Sequence, residues 1–509
     1  NYYFFVIGAL CVTLGACAVP AAAAAAVDEP RASRGTPSYS ERAAWTRRLA
    51  ATALAAACLV PLLWPGDAPF INDEPLLVAA AARANALGQL APVGLTGTFG
   101  FAYGPLPTWL YQALLSITHD LLFIAVLHAV LLIGGTALAL WWLAETLGLW
   151  VWFAPVPLLS PYFWFYARVL WDNPLMIPLG ALALAGYAAH LRSGRRAGLR
   201  VTVAALSLLP LVHLMSVAFV VPCLVHIVLT RWRRLWDDRA AMTTIVAASM
   251  LMALPYWQYV LTASPPAAGG SAGLEGVVFP LFGGRLISAR DLQYFFGADP
   301  VGGGVMRLAA GVSAVAHALV WIGIAVAAGQ VVHAGRRRQW TPRSHLASIL
   351  LASLACQMAL DGFAGKFEHP QYYNATWIVF VMLAWLAVDW IAARRRAIRW
   401  AAPAATVALA AALLVAVATL AVRLHRSSGT RETYGPTLAN QQDIGRALSA
   451  YSASCPVNTA VTPYVLYPHA LETVRQMSAR RYPTGACGAL EVRYASSDPQ
   501  SGAIELVVR

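Results

Sequence analysis

Three groups of ionisable residues stand out because the rest of the chain carries so few charges. Only 12% of the 509 residues are Asp, Glu, Lys or Arg, against roughly 25% in an average soluble domain. Each group lies beside a long apolar segment, and the groups comprise Asp73 and Glu74, Arg168 and Asp172, and Lys366 and His369. Carboxylates can accept a proton from a hydroxyl, and cationic side chains can hold a phosphate. The groups therefore predict a group-transfer site if the fold brings them to one face.

The elements that must position these groups are predicted to be membrane-spanning helices. Hydrophobic residues make up 59% of the chain and the mean hydropathy is +0.60. Apolar stretches long enough to span a bilayer recur between short Arg clusters. This pattern excludes a soluble enzyme, a disordered regulator and a disulfide scaffold, and the lack of apolar–polar alternation argues against a transmembrane barrel. The predicted fold class is an all-α polytopic membrane protein with a small α/β domain at its C-terminal end.

The net charge of +13 has a topological explanation. Its Arg residues gather in clusters such as Arg336–Arg338 and Arg394–Arg396, which is typical of cytoplasmic loops. Nucleic acid is therefore not expected as a partner. Lys366 is the only lysine among 36 basic residues, which suggests a GC-rich bacterial genome and hence a bacterial inner membrane.

The Arg clusters predict eleven spans, with the N-terminal side cytoplasmic and the C-terminal tail outside. The predicted spans cover about 49–65, 121–143, 148–163, 174–190, two short segments between Arg200 and Arg231, 241–261, 307–331, 345–361, 374–391 and 400–422. Leu106–Ile117 is too short to cross, so we expect it in the membrane interface with Trp109 and Tyr111 at headgroup level. Arg423 and Arg426 follow the last span and contradict the charge rule for an external end.

Composition divides the chain into three parts. Residues 1–45 form an N-terminal segment without an assigned role, and residues 46–423 form the transmembrane domain. Its external loops are predicted at 66–120, 164–173, 262–306 and 362–373. Residues 424–509 read as a soluble periplasmic α/β domain that contains Cys455 and Cys487. Outside the cytoplasm these cysteines are expected to form a disulfide, worth roughly 3–4 kcal/mol.

An ordered set of segments gives the sequence a family resemblance. The acidic pair Asp73–Glu74 lies in a long first external loop, a Pro-Leu segment follows at Pro105–Leu106, and Tyr166-Ala-Arg-Val-Leu-Trp-Asp-Asn-Pro-Leu175 and Ala253-Leu-Pro-Tyr-Trp257 come later. From about residue 50 to 390 this set resembles the GT-C superfamily, and more narrowly the bacterial relatives of protein O-mannosyltransferases and lipid A aminoarabinose transferases. The resemblance implies transfer of a sugar from a polyprenyl-phosphate donor to an acceptor on the external face. The acceptor could be a lipid, a glycan or a protein hydroxyl.

The resemblance also implies roles for the candidate residues. Asp73 is the expected base, alone or through a divalent metal ion, and Glu74 either shares that role or points to solvent. Asp172 is expected to orient the acceptor or to complete a metal site with Asp73, although two carboxylates do not define a metal. The residues expected to contact the substrate or its phosphate are Arg168, Lys366, His369, Tyr103 and Tyr372. Arg285 and Arg290 could also donate hydrogen bonds to the phosphate. Arg168 could instead pair with Asp172, four residues away, if that segment is helical.

Two departures from the family pattern concern the phosphate. The aminoarabinose transferases have an acidic-Lys-Pro-Pro-Leu segment where this chain reads Phe101-Ala-Tyr-Gly-Pro-Leu106, so that lysine is absent. A lysine common near the fifth span corresponds here to His213, which by itself reads as a packing histidine.

Two other functional classes fit parts of the sequence. A secondary transporter or lipid flippase would place ionisable residues at mid-span and show two similar halves, whereas the candidate residues here lie at span ends. A non-catalytic scaffold with an external sensor tail would leave the acidic loops without a purpose. The transferase is therefore the predicted function, and the transporter or flippase is the alternative.

Overall fold

The structure is a computed structural model in which most of the described chain is helical. It describes residues 39–97, 100–263, 273–287, 302–364, 370–393, 401–431, 434–452, 454–461, 467–478, 485, 487–498 and 501–508. The helices, in chain order, are α1 (Tyr39–Leu59), α2 (Asp73–Ala86), α3 (Leu106–Ile117), α4 (Leu121–Leu147), α5 (Pro161–Tyr166), α6 (Met176–Ser193), α7 (Arg196–Leu208), α8 (Val217–Asp237), α9 (Arg239–Met252), α10 (Leu254–Thr262), α11 (Gly273–Val278), α12 (Gly302–Arg337), α13 (Pro342–Ala364), α14 (Trp377–Ala392), α15 (Ala401–Ser427), α16 (Leu438–Leu448) and α17 (Tyr467–Met477).

Within these described ranges, six helices are long and apolar enough to cross a membrane. They are α4, α6, α8, α12, α13 and α15. Helices α9 and α10 meet the same criterion as a pair, although the chain bends by 72° between them. The predicted fold class of a polytopic helical membrane protein is thus confirmed, but the described part holds six or seven apolar spans rather than eleven.

Residues 148–163 show why a predicted span is missing. They form two 3₁₀ turns, Val151–Phe153 and Val156–Leu159, followed by the start of α5. Pro155, Pro157 and Pro161 each lack a backbone donor and obstruct a continuous helix. The segment is apolar because it is packed inside the protein, where most of its side chains are buried.

The helices at the predicted first and tenth spans also differ from the prediction, and neither is among the six. Helix α1 ends at Leu59, just before Pro61 and Pro65, so a span that continues to residue 65 does not form. Helix α14 is apolar but only 16 residues long, and most of its side chains are buried within the protein.

Helix α3 has the predicted bounds but packs differently from an interfacial helix. Tyr111 is fully buried, and its hydroxyl lies 3.0 Å from His128 Nδ1. The Trp109 indole N–H donates to the Ala91 carbonyl at 2.9 Å. The expectation of Tyr111 at headgroup level is therefore wrong, because its polar atom is satisfied inside the protein.

The C-terminal tail forms the predicted small α/β unit. Helices α16 and α17 pack on a three-stranded sheet of β1 (Val457–Thr459), β2 (Leu490–Tyr494) and β3 (Ile504–Val508). Strand β2 is central, parallel to β1 with Val457 opposite Leu490, and antiparallel to β3 with Leu490 opposite Val508. Cys455 and Cys487 form a disulfide, with Cα atoms 5.3 Å apart.

The tail shares a hydrophobic core with the first long loop. Buried residues from the loop, among them Phe70, Ile71 and Leu77, pack with Leu438 and Val474 of the tail. Backbone carbonyls of the loop also accept hydrogen bonds from the tail: Asp67 from the Tyr434 hydroxyl, Ala68 from the Leu438 N–H, Phe70 from the Gln441 amide, and Pro75 from the Thr473 hydroxyl. The tail thus clamps the segment that leads into Asp73.

Removal of residues 430–509 should therefore loosen the first loop. Exposing a fully buried apolar side chain to water costs about 1.5–3 kcal/mol. The truncation would remove apolar contacts from four buried side chains of the loop and α2, namely Phe70, Ile71, Leu77 and Val78. We expect amide hydrogen exchange over residues 68–86 to be faster in the truncated chain, and Gln441→Ala to produce a smaller change in the same direction. Exchange at the wild-type rate in both variants would contradict the clamp.

Candidate active site

Two of the predicted carboxylates, Asp73 and Asp172, come together through Trp171. Asp73 is the first residue of α2, and the Trp171 indole N–H donates to its Oδ2 at 3.1 Å. Asp172 follows Trp171 directly and is only 1% exposed. The negative charge of Asp73 acts on the Asp172 carboxyl, so residues from two separate loops share one site.

Asp172 has an unusual environment for a carboxyl group. Its Oδ1 accepts a hydrogen bond from the Asn173 backbone N–H at 2.7 Å, while its buried Oδ2 has no partner within the described chain. Burial, followed by the charge of Asp73, raises the pKa of Asp172 to about 8. At neutral pH the substrate-free carboxyl is therefore mainly protonated, and its free oxygen can offer a hydrogen bond to a ligand.

Glu74 supports the site rather than facing it. The side chain is 4% exposed, and its Oε2 accepts the backbone N–H groups of Asn72 at 2.8 Å and Ile71 at 3.3 Å. Burial raises the pKa of Glu74 to about 7, against the lowering effect of these amides. The expectation that Glu74 could point to solvent is wrong, because the carboxyl closes the turn that precedes α2 and so fixes Asp73.

Tyr103 connects the two carboxylates with two further neutral side chains. The Tyr103 ring lies against the His213 ring, with centroids 3.9 Å apart and planes tilted by 38°, and the Tyr372 ring lies 5.8 Å from the His213 ring. The hydroxyls of Tyr103 and Tyr372 interact. Burial raises the pKa of Tyr103, and Tyr372, Asp172 and Asp73 raise it further. The predicted residue Tyr103 therefore lies close to the carboxylates, and Tyr372 and His213 adjoin it.

His213 presents a free donor to this space. Its Nδ1 accepts the Met215 backbone N–H at 3.1 Å, so the ring proton must be on Nε2. Nε2 is buried and has no partner within the described ranges. The expectation of an ordinary packing histidine misses this atom, and the proline-containing break between α7 and α8 at Leu209–Leu211 is the sequence signal that could have found it.

A close backbone approach holds Tyr103 over His213. Gly94 and Leu95 pair with Tyr103 through two backbone hydrogen bonds of 2.9 and 2.7 Å. A Cβ atom on Gly104 would lie 2.0 Å from the Leu211 carbonyl oxygen, so only glycine fits there. The segment around Gly104 thus meets the turn before His213 directly.

Arg168 lies elsewhere than its spacing suggested. Its guanidinium donates to the Trp64 carbonyl at 2.6 Å, lies 4.5 Å from the Trp164 ring and interacts electrostatically with Asp67 and Tyr434. No ion pair in the described chain joins Arg168 to Asp172. Helix α5 ends at Tyr166 and the chain turns through 167–172, so the spacing of four residues does not place the two side chains on one helical face.

Neither residue of the third ionisable group is among the described residues. Lys366 and His369, with Arg290, lie outside the described residues. Arg285 lies over the Phe279 ring at 3.8 Å, and Phe279 packs 5.7 Å from Tyr373. Arg285, a candidate for binding the phosphate, therefore lies near the turn that carries Tyr372.

Asp361 is a buried carboxyl that was not among the candidates predicted from sequence. It accepts the Tyr373 hydroxyl at 2.6 Å and the Gln357 amide at 2.9 Å. The Tyr162 hydroxyl lies within hydrogen-bond distance of the Pro370 carbonyl, at 2.8 Å, and of the Asn374 amide oxygen, at 2.6 Å. These bonds fix the turn Pro370–Tyr373 and with it Tyr372.

Asp361→Leu should therefore destabilise the protein. The substitution leaves the Tyr373 hydroxyl and the Gln357 amide without an acceptor, at about 1–3 kcal/mol for each buried group. Asp361→Asn retains an acceptor and should cost less. Thermal unfolding of both variants checks this order, and an Asp361→Leu protein as stable as Asp361→Asn would contradict it.

The carboxylates offer a restricted set of metal ligands. In the part of the chain that the structure describes, no group of three His, Cys, Asp or Glu side chains could hold a metal ion. Magnesium is commonly held by one or two carboxylates with substrate phosphate and water. The two carboxylates fit this arrangement. Asp73 and the free oxygen of Asp172 would bind the ion, and a substrate phosphate would complete its coordination.

Comparisons with solved structures return distant structural likenesses, among them two structures of one protein. ArnT from Cupriavidus metallidurans in the apo state aligns with a TM-score of 0.46 and 14% identity, over 89% of this chain and 94% of that one. The same protein bound to undecaprenyl phosphate aligns with a TM-score of 0.42 and 14% identity, over 88% and 93%. No family model matches the chain, and neither does any curated protein.

Proposed function

We propose that the chain is a membrane glycosyltransferase that moves a sugar from a polyprenyl-phosphate donor to a hydroxyl acceptor. The observation that carries the proposal is that the Trp171–Asp73 hydrogen bond brings Asp73 close to Asp172, whose buried Oδ2 lacks a partner within the described residues. The sequence resemblance to the GT-C superfamily supports the same reaction class. We further propose that the protein lies in a bacterial inner membrane with its tail in the periplasm.

The proposed reaction transfers one proton from the acceptor and releases one leaving group, the polyprenyl phosphate. The acceptor oxygen attacks the anomeric carbon, the bond from that carbon to the phosphate oxygen breaks, and its electron pair leaves with the phosphate. Asp73 takes the hydroxyl proton. Burial raises the pKa of Asp73, although the Trp171 N–H opposes this effect, and a raised pKa makes a carboxylate a stronger base.

Asp172 and the neutral donors have complementary roles. Protonated Asp172 donates a hydrogen bond that orients the acceptor or a sugar hydroxyl. Tyr103, Tyr372 and the Nε2–H of His213 can donate to the leaving phosphate in a site shielded from water, where such bonds are strong. Alternatively, a divalent ion held by Asp73 and an ionised Asp172 would supply the positive charge to the phosphate.

The donor can be identified directly. Membranes that contain the wild-type chain are incubated with a panel of labelled undecaprenyl-phosphate sugars and a total membrane extract as acceptor. We expect label to leave one donor. A flippase would move a donor between leaflets without consuming it, so translocation with no loss of labelled donor would refute the transferase.

A further inference from the structure

The two Arg residues that contradict the charge rule line a cavity at the junction of α15 and the tail. This cavity has a volume of about 760 Å³. Its walls include Arg423 and Arg426 of α15 and Ser496, Asp498 and Ser501 of the tail. None of these residues belongs to the carboxylate site, so a ligand in this cavity would be distinct from the sugar donor and the acceptor.

The cavity wall is fixed by hydrogen bonds rather than formed by a loose loop. The Arg431 guanidinium donates to the carbonyls of Ser496 and, at 3.3 Å, Ser501. The Gly502 N–H donates to the Ser427 carbonyl at 2.9 Å. The same guanidinium lies 4.3 Å from the Tyr494 ring. The tail loop is therefore held against the end of α15, and the cavity exists before any ligand arrives.

The cavity combines an apolar side with a charged end. Ala418, Thr419 and Val422 line it from α15, which is a candidate span with only 39% of its apolar window buried. Arg426 lies eight residues beyond Ala418, about 12 Å along a helix at 1.5 Å per residue. A ligand that fits both ends has acyl carbons and a polar head, as a membrane lipid does.

Charge selects the kind of lipid. Two Arg residues and one Asp give the cavity a net charge of +1. Arg423 and Asp498 already take part in polar interactions, whereas exposed Arg426 has no hydrogen bond or ion pair among the described residues. One available guanidinium matches one phosphodiester anion, and the seryl groups can bond a hydroxylated headgroup. We propose that the cavity binds an anionic phospholipid through its phosphate, with phosphatidylglycerol as the matching headgroup.

Lipid retention by the purified full-length chain tests this proposal. Native mass spectrometry would compare phosphatidylglycerol, phosphatidylethanolamine and phosphatidylcholine, added singly at equal concentration to wild type and to the Arg423→Gln/Arg426→Gln variant. We expect wild type to retain phosphatidylglycerol best and the variant to bind it about tenfold more weakly, because charge-assisted bonds are lost. Arg446→Gln, a change at an exposed Arg paired with Asp443 on the tail, serves as the matched control.

The alternatives give different results. If Arg423 and Arg426 merely extend to the membrane interface, the double variant will retain phosphatidylglycerol as well as the control does. If Asp498 recruits a headgroup amine, phosphatidylethanolamine will be retained best and Asp498→Asn will remove that preference. Either outcome would overturn the proposal.

Discussion

Asp73→Asn should abolish sugar transfer while the protein remains folded. A positioned general base contributes about 10²–10⁴-fold to a rate, and the amide cannot take the acceptor proton. The amide oxygen can still accept the Trp171 N–H that Asp73 Oδ2 accepts now, so the local packing should survive. The measurement is the initial rate of label transfer from the donor identified in the panel, with expression and thermal unfolding recorded in parallel.

A matched control separates the loss of the base from the loss of one negative charge. Asp443 is an exposed carboxylate of α16 that pairs with Arg446 at 2.8 Å. Asp443→Asn should transfer at the wild-type rate. If Asp73→Asn keeps more than about a tenth of the wild-type rate, the loss is far below that expected of a general base. Asp73 would then not be the base.

Substitutions at Asp172 should separate its hydrogen-bonding role from its charge. Asp172→Ala removes the group that orients the ligand, and loss of one such donor costs about 10²–10³-fold. Asp172→Asn keeps a neutral donor, so we expect it to stay within about tenfold of wild type. If Asp172→Asn instead falls as far as Asp73→Asn, the ionised carboxylate is required, and a metal-ligand role would replace the orienting role.

The raised pKa of Asp172 also predicts how stability depends on pH. An Asp in an unfolded chain has a pKa of about 4, whereas the folded group titrates at about 8. Between these values the unfolded state loses the proton while the folded state keeps it, so stability falls as pH rises through this window. Asp172→Asn lacks this titration. The unfolding temperature of wild type should therefore drop more between pH 5 and pH 8 than that of the variant, and parallel curves would contradict the assignment.

Composition and charge pattern predicted the fold class and the tail unit, but they predicted more spans than the described residues contain. Strand β2, Leu490–Tyr494, alternates apolar and polar residues, which is the pattern that marks a half-buried strand in a sequence. The predicted span at 148–163 failed because hydropathy counts Pro155, Pro157 and Pro161 as neutral or apolar residues. Their effect on the backbone is what prevents a continuous helix.

The candidate site was predictable to the extent that rare residue types marked it. Asp73 and Asp172 could be picked out because carboxylates beside span ends are few in this chain. Arg168 could not be placed, because its partner is the Trp64 carbonyl and any residue type supplies such a group. The free Nε2 of His213 depends on a contact between its Nδ1 and a backbone amide two residues away, which sequence spacing does not show.

The most direct test of the carboxylate site follows both products of the reaction. Purified wild type and Asp73→Asn, reconstituted in vesicles with the labelled donor and an acceptor, would be assayed for free polyprenyl phosphate and for glycosylated acceptor. The proposed function predicts that wild type releases the two in equal amounts and that Asp73→Asn releases neither. Donor that crosses the bilayer intact, with no polyprenyl phosphate formed by wild type, would contradict it.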